Sequence, residues 1–225
     1  MKGWMRGIGK IAVVPLIIGL TLLFSSFIAP GSEMEYPYYS SPEILLWRAP
    51  EEVRKKEILK EQKFLKYSTA IVKKFNPELS WRKALKICKT IYRYSVTYGY
   101  DPYFILSIVK VESSFDPHAI SPAGAVGLMQ IMPDVGKYLA DLKGESIRIP
   151  DDLFDIETNI RLGVYYFKYL HMKYRNIKLA LLAYNMGPGT LNFFIKNNHM
   201  PTNDYHQLVL EFYSRVKKKY LSRKF

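Results

Sequence analysis

Apolar side chains at Ala84, Ile87, Cys88, Ile91 and Tyr94, with Ser95 after them, recur at three- and four-residue spacing. That period places them on one helix face and excludes a strand, where side chains alternate every second residue. Ser80 precedes the run as an N-cap and Gly99 follows it as a stop. Pro50 opens a second helical stretch, with Glu51 and Glu52 at its positive end and Lys73 and Lys74 at its negative one. No alternating run of useful length and no internal repeat occurs, so an all-α body is expected. Hydrophobic residues make up 48% of the 225, enough for a real core.

The first thirty residues differ in kind. Lys2, Arg6 and Lys10 lead an apolar run from Ile11 to Ala29, broken by Pro15 and a few small residues. A basic lead before such a run is the pattern of an export signal, and its length approaches the roughly 20 residues of a bilayer span. Charges on its N-terminal side keep that end in the cytoplasm and send the remainder out. Ala29 is followed by Pro30 and Gly31, a poor cleavage triplet, which favours an uncleaved anchor over a cleaved signal. Residues 1–32 are therefore read as signal or transmembrane anchor, 33–80 as tether and accessory helix, and 81–225 as the main domain. The body is expected in the cell envelope or periplasm, tied to the inner membrane through the N-terminal segment.

Lys and Arg number 33 against 20 Asp and Glu, a net charge of +13. Such an excess suits nucleic acid, an anionic membrane face or an acidic polymer. Export argues against nucleic acid as a partner and favours wall polymers and lipid headgroups. The C-terminal cluster Arg215, Lys217, Lys218, Lys219, Arg223 and Lys224 has the composition of a solvated helix face. The single cysteine, Cys88, excludes an intramolecular disulfide, an iron–sulfur cluster and a Cys-rich zinc site. It lies on the apolar face of its helix and reads as a small core residue. The four histidines have no metal-ligand spacing, and no cofactor or metal is expected.

Asp101-Pro102 is a cap followed by proline at the first helical position. The helix it opens, Tyr103 to Ser114, is apolar on nearly every side, yet its end carries Glu112. A plain reading pairs Glu112 with Lys110 or leaves it on an exposed last turn. The alternative is chemical: a carboxyl held against apolar neighbours resists ionising and keeps a proton near neutral pH, as a general acid for glycosidic cleavage must. A run of small residues, 121–127, then allows close backbone approach, and Gln130 stands amid apolar neighbours with one amide to offer. Leu179 to Ala183 form a buried helix running into Tyr184-Asn185-Met186-Gly187-Pro188-Gly189. Taken singly, Gln130 reads as a satisfied core amide, Tyr184 as a core aromatic and Asn185 as a helix cap.

Together, Glu112-Ser113-Ser114-Phe115, the stretch from Ser121 to Pro133, and Ala183-Tyr184-Asn185-Met186-Gly187-Pro188-Gly189 resemble the soluble lytic transglycosylase family. Asn159-Ile160-Arg161-Leu162-Gly163-Val164-Tyr165-Tyr166 is similar to that family's Asn-Ile-x-x-Gly-x-x-Tyr helix. The likeness runs from about Ser95 to Tyr213. It departs from the family's Glu-Thr pair before a Tyr-Val, where this chain reads Thr202-Asn203-Asp204-Tyr205-His206. The resemblance implies a lysozyme-like helical domain of goose type that cuts peptidoglycan glycan strands between N-acetylmuramic acid and N-acetylglucosamine. It implies Glu112 as the sole acid and base, with Ser121, Gln130, Met132, Tyr184 and Asn185 lining the sugar cleft and Tyr184 near the acid. It also implies closure to a 1,6-anhydro product without water. Three other readings stand beside it: hydrolysis, with Asp116 or Asp134 positioning water if neither is merely a turn or cap; a wall-binding scaffold that does not cut; and a basic membrane- or nucleic-acid-binding module.

Overall fold

The computed structural model describes residues 49–199, 201 and 204–222. The expected signal or anchor, the tether up to residue 48, Thr202, Asn203, Arg223 and Lys224 lie outside the described residues. Among the described residues eight α-helices follow in order: α1 (Glu51–Phe75), α2 (Trp81–Tyr98), α3 (Pro102–Ser113), α4 (Pro133–Asp141), α5 (Ile156–Tyr174), α6 (Ile177–Met186), α7 (Pro188–Lys196) and α8 (Tyr205–Ser222), with one 3-10 turn at Asp151–Phe154. Among the described residues the only β pairings are isolated bridges, so the all-α expectation holds. No helix among them is long and apolar enough to cross a membrane.

Helix starts follow their local chemistry. Ser80 Oγ accepts the Lys83 N–H at 3.2 Å, and Gly99 ends α2 at φ +76°, a conformation that costs glycine nothing. α2 buries Ala84, Ile87, Cys88, Ile91 and Ser95, the face its spacing marks out, together with Thr90. Tyr94, on the same face, is half-buried and donates to Glu157 at 2.5 Å.

The middle of the core is α3. Asp101 Oδ1 caps it by accepting the Tyr103 N–H at 2.8 Å, and every residue from Tyr103 to Val109 is buried. Each fully buried Ile or Leu there contributes about 1.5–3 kcal/mol, and Ser107, the polar exception, donates to the Tyr103 carbonyl at 2.6 Å. α8 packs along α3, α5 packs against both α2 and α6, and α1 lies against α2. Asp101 also pins α8, since its Oδ2 accepts Tyr213 Oη at 3.0 Å and Lys217 Nζ at 2.6 Å. Lys217 is thus a tether between helices rather than part of a solvated face. α1 buries residues only from Phe64 onward, and Phe64, Tyr67 and Val72 belong to the same core as α3.

Candidate active site

Glu112 sits in the last turn of α3, where the chain reverses through two non-glycine residues of positive φ, Ser114 (52°) and Phe115 (69°). Bulky residues avoid this region, at a cost of about 1–3 kcal/mol each, unless the surroundings hold them. Here they are held. The Phe115 ring is fully buried, its carbonyl accepts Asn76 Nδ2 at 3.2 Å, and the Asp116 N–H reaches the Ser113 carbonyl at 3.0 Å. Ser113 Oγ donates to the Leu128 carbonyl at 2.9 Å, which ties the last turn of α3 to the returning loop.

That loop, 116–132, is built on backbone. Val126 and Ile131 exchange N–H···O bonds of 2.9 and 3.0 Å, and the Gly127 N–H reaches the Ala119 carbonyl at 2.8 Å. Asn159, buried on α5, fastens it: Oδ1 accepts the Met129 N–H at 2.7 Å, while Nδ2 donates to Val126 O at 2.9 Å and Leu153 O at 2.7 Å. The approach is so close that a Cβ on Gly127 would fall 2.4 Å from Asn159 Nδ2, and one on Gly163 would fall 2.5 Å from Met129 Sδ. The small residues at these positions therefore serve backbone packing.

The residues expected to line a cleft are placed as follows. Gln130 lies at φ 48° and its Nε2 donates to Ala119 O at 3.2 Å and Gly127 O at 2.9 Å, so its amide braces the loop. Both partners are acceptors, which fixes the amide's orientation. Ser121 Oγ accepts the Ala125 N–H at 3.0 Å within the same loop. Met132 is exposed at the start of α4, and Asn185 is exposed in the last turn of α6. Tyr184 is half-buried against Tyr166 and Phe167, and its hydroxyl donates to the Met129 carbonyl at 2.8 Å. Tyr184 stands close enough to Glu112 to feel its charge, while the hydroxyl that donates to Glu112 Oε1 is that of Tyr205, the first residue of α8.

Lys110 is not the partner of Glu112. Its Nζ stands 4.5 Å over the Phe75 ring and donates to Ser114 Oγ at 3.2 Å. Glu112 is half-buried, and burial pushes its carboxyl up to about 7, moderated by the Tyr205 hydrogen bond. The Tyr184 and Tyr205 phenols are pushed well above their ordinary value, first by burial and then by the neighbouring Glu112 charge, so both stay protonated donors. The arrangement is a carboxyl able to give and take a proton near neutral pH, with a hydroxyl positioned on it. Asp116 takes the His118 N–H at 2.9 Å in a turn. Asp134 is an exposed first-turn acid of α4 rather than its cap, which is Met132.

Tyr205, Asn159 and Ser113 carry more of this geometry than sequence reading gave them. A signal existed for two: Tyr205 keeps the tyrosine of a segment that otherwise departs from the family pattern, and Asn159 is a polar residue on an apolar helix face.

Residues 89–206 match the family described as Transglycosylase SLT domain. Over 97 residues the chain is 35% identical to the soluble lytic murein transglycosylase of Salmonella typhimurium, covering 42% of this chain and 15% of that protein. Over 119 residues it is 38% identical to the membrane-bound lytic murein transglycosylase C of Mannheimia succiniciproducens, covering 48% of this chain and 33% of that protein. Among solved structures, an inactive variant of lytic transglycosylase Slt from Pseudomonas aeruginosa superimposes with a TM-score of 0.54 at 29% identity, over 60% of this chain and 24% of that one. The 70-kDa soluble lytic transglycosylase in complex with bulgecin A gives 0.55 at 26% identity, over 64% and 26%. The chain thus spans a third or less of each of these proteins, and what it shares with them is one helical domain. The matched stretch contains Glu112, the Asn159-braced loop, Tyr184 and Tyr205, and the chain belongs to the transglycosylase SLT-domain family.

Proposed function

We propose that this protein is a peptidoglycan lytic transglycosylase in which Glu112 acts first as acid and then as base. Protonated Glu112 donates to the oxygen between N-acetylmuramic acid and N-acetylglucosamine. The substrate's acetamido carbonyl stabilises the developing cation at the anomeric carbon, so no second protein carboxylate is required. Charged Glu112 then takes the proton of the muramic 6-hydroxyl, which closes on the anomeric carbon to a 1,6-anhydro end. Tyr205 positions the carboxyl. Gln130, Ser121 and Tyr184 hold the loop beside it, and Met132 and Asn185 offer exposed contacts to the glycan. In the same reading, residues 1–32 export the domain and hold it at the inner membrane, with the glycan strands of the wall as substrate.

The observation that carries the proposal is a carboxyl raised to about 7 by burial, with a hydroxyl as its hydrogen-bond partner. Purified wall sacculi test it. The parent protein should release fragments with anhydro ends. Glu112→Gln, folded as judged by its melting temperature, should be slower by about 10²–10⁴-fold, the usual contribution of a positioned acid–base group. Equal activity in the variant removes Glu112 from the chemistry, and release of nothing by either protein favours a scaffold.

A further inference from the structure

A groove of about 450 Å³ opens between α1, α2 and the first turn of α5, and Glu112 is not among the residues that line it. Arg82, Lys86, Lys89 and Arg93 of α2 line it together with Glu61 of α1 and Glu157 of α5. The four cations follow one another at i, i+4, i+7 and i+11, a single helix face, and form a stripe of about 16 Å. α2 gains nothing from this pattern. Like charges at these spacings repel, and its first turn holds no acid, the reverse of what a helix N-terminus favours. Two of the four are engaged: Lys86 reaches Asp155 at 3.4 Å, and Arg93 bonds Glu157, which also accepts Thr90 Oγ1 at 3.4 Å. Arg82 and Lys89 are exposed, with no ion pair among the described residues.

We propose that this groove is a second wall-contact surface, which seats the peptide stem of a glycan strand other than the one at Glu112; the proposal rests on the function given above. Carboxylates of the stem meet Arg82 and Lys89, while Glu61 receives an amine. The mixed signs favour a peptide over a phosphodiester chain, which would meet Glu61 and Glu157 as repulsive neighbours. An extended peptide of four or five residues spans about 13–18 Å, the length of the stripe. Holding a neighbouring strand here would keep the domain on the wall between cuts.

Binding of the full chain to purified sacculi, measured with Glu112→Gln to prevent cutting, tests this. Arg82→Ala with Lys89→Ala should bind about 3- to 10-fold more weakly and lose part of the salt dependence. With Glu112 intact, the same pair should turn over short soluble glycans as the parent does. Free stem peptide should compete for binding, and inorganic phosphate at equal ionic strength should not. Unchanged binding by the folded double variant overturns the proposal, as does competition by phosphate in place of peptide. If the alanine pair loses its thermal transition, Arg82→Gln with Lys89→Gln answers the same question. A parent protein that binds through the groove yet releases no fragments would sink the transglycosylase reading and leave the groove assigned.

Discussion

Ionising Glu112 in the folded chain means placing a negative charge at the half-buried end of α3, with one hydroxyl to receive it. Its carboxyl therefore sits near 7 when folded, against 4.5 for the free side chain. Between those values the unfolded chain releases this proton and the folded chain keeps it. Parent stability then falls as pH rises through the window and levels off above it. Glu112→Gln removes the term, so the variant should gain on the parent from about pH 4 to about pH 8, by on the order of 3 kcal/mol. Denaturant midpoints at the two pH values measure this, and a constant difference contradicts it. Tyr205 acts in the opposite direction, because its hydrogen bond holds the carboxyl lower than burial alone would. Tyr205→Phe should slow cleavage several-fold and move the alkaline limb of kcat/KM to higher pH. A role in packing alone would leave that limb where it is.

At the scale of elements, the loop 116–132 depends on one amide. Asn159→Ala would remove the side-chain partner of the Met129 N–H and the Leu153 carbonyl and leave the Val126 carbonyl only the Ile131 N–H, at about 2–4 kcal/mol. Met129 also accepts the Tyr184 hydroxyl, so activity should suffer beyond the loss of folded protein. Urea titration beside turnover per folded molecule separates the two effects, and full specific activity would refute the coupling. What the sequence made legible follows the same division. Ser80, Gly99 and Asp101 act on backbone groups within a few residues, and local chemistry identifies them. Glu112 was legible because a carboxylate in an apolar helix is a local anomaly. The Tyr205 bond to Glu112 joins residues 93 apart, and the Tyr184 bond to Met129 joins residues 55 apart. No spacing rule reaches that far, so the hydroxyl that Tyr205 places on the acid had no local signal of that contact. Gln130 shows a gentler version: its plain reading as a satisfied amide describes its bonds, while its place on the loop beside Glu112 depends on tertiary packing.

For the molecule as a whole, the proposed function assigns the net charge of +13 to the strength of wall association rather than to the chemistry at Glu112. Exposed cations lose most of their reach once the screening length falls to about 8 Å at 0.15 M salt. Sacculus binding should weaken as salt is added while turnover of short soluble glycans stays level, and co-sedimentation measured beside that turnover checks both. Indifference of binding to salt would assign the charge to another role. The central claim is narrower, that one carboxyl serves both steps and no water enters the product. Digesting sacculi in heavy-oxygen water and weighing the released fragments tests it most directly. The account predicts anhydro ends, one water lighter than reducing ends and free of solvent oxygen; a heavy oxygen atom at the anomeric carbon of the cut ends would mean hydrolysis and contradict it.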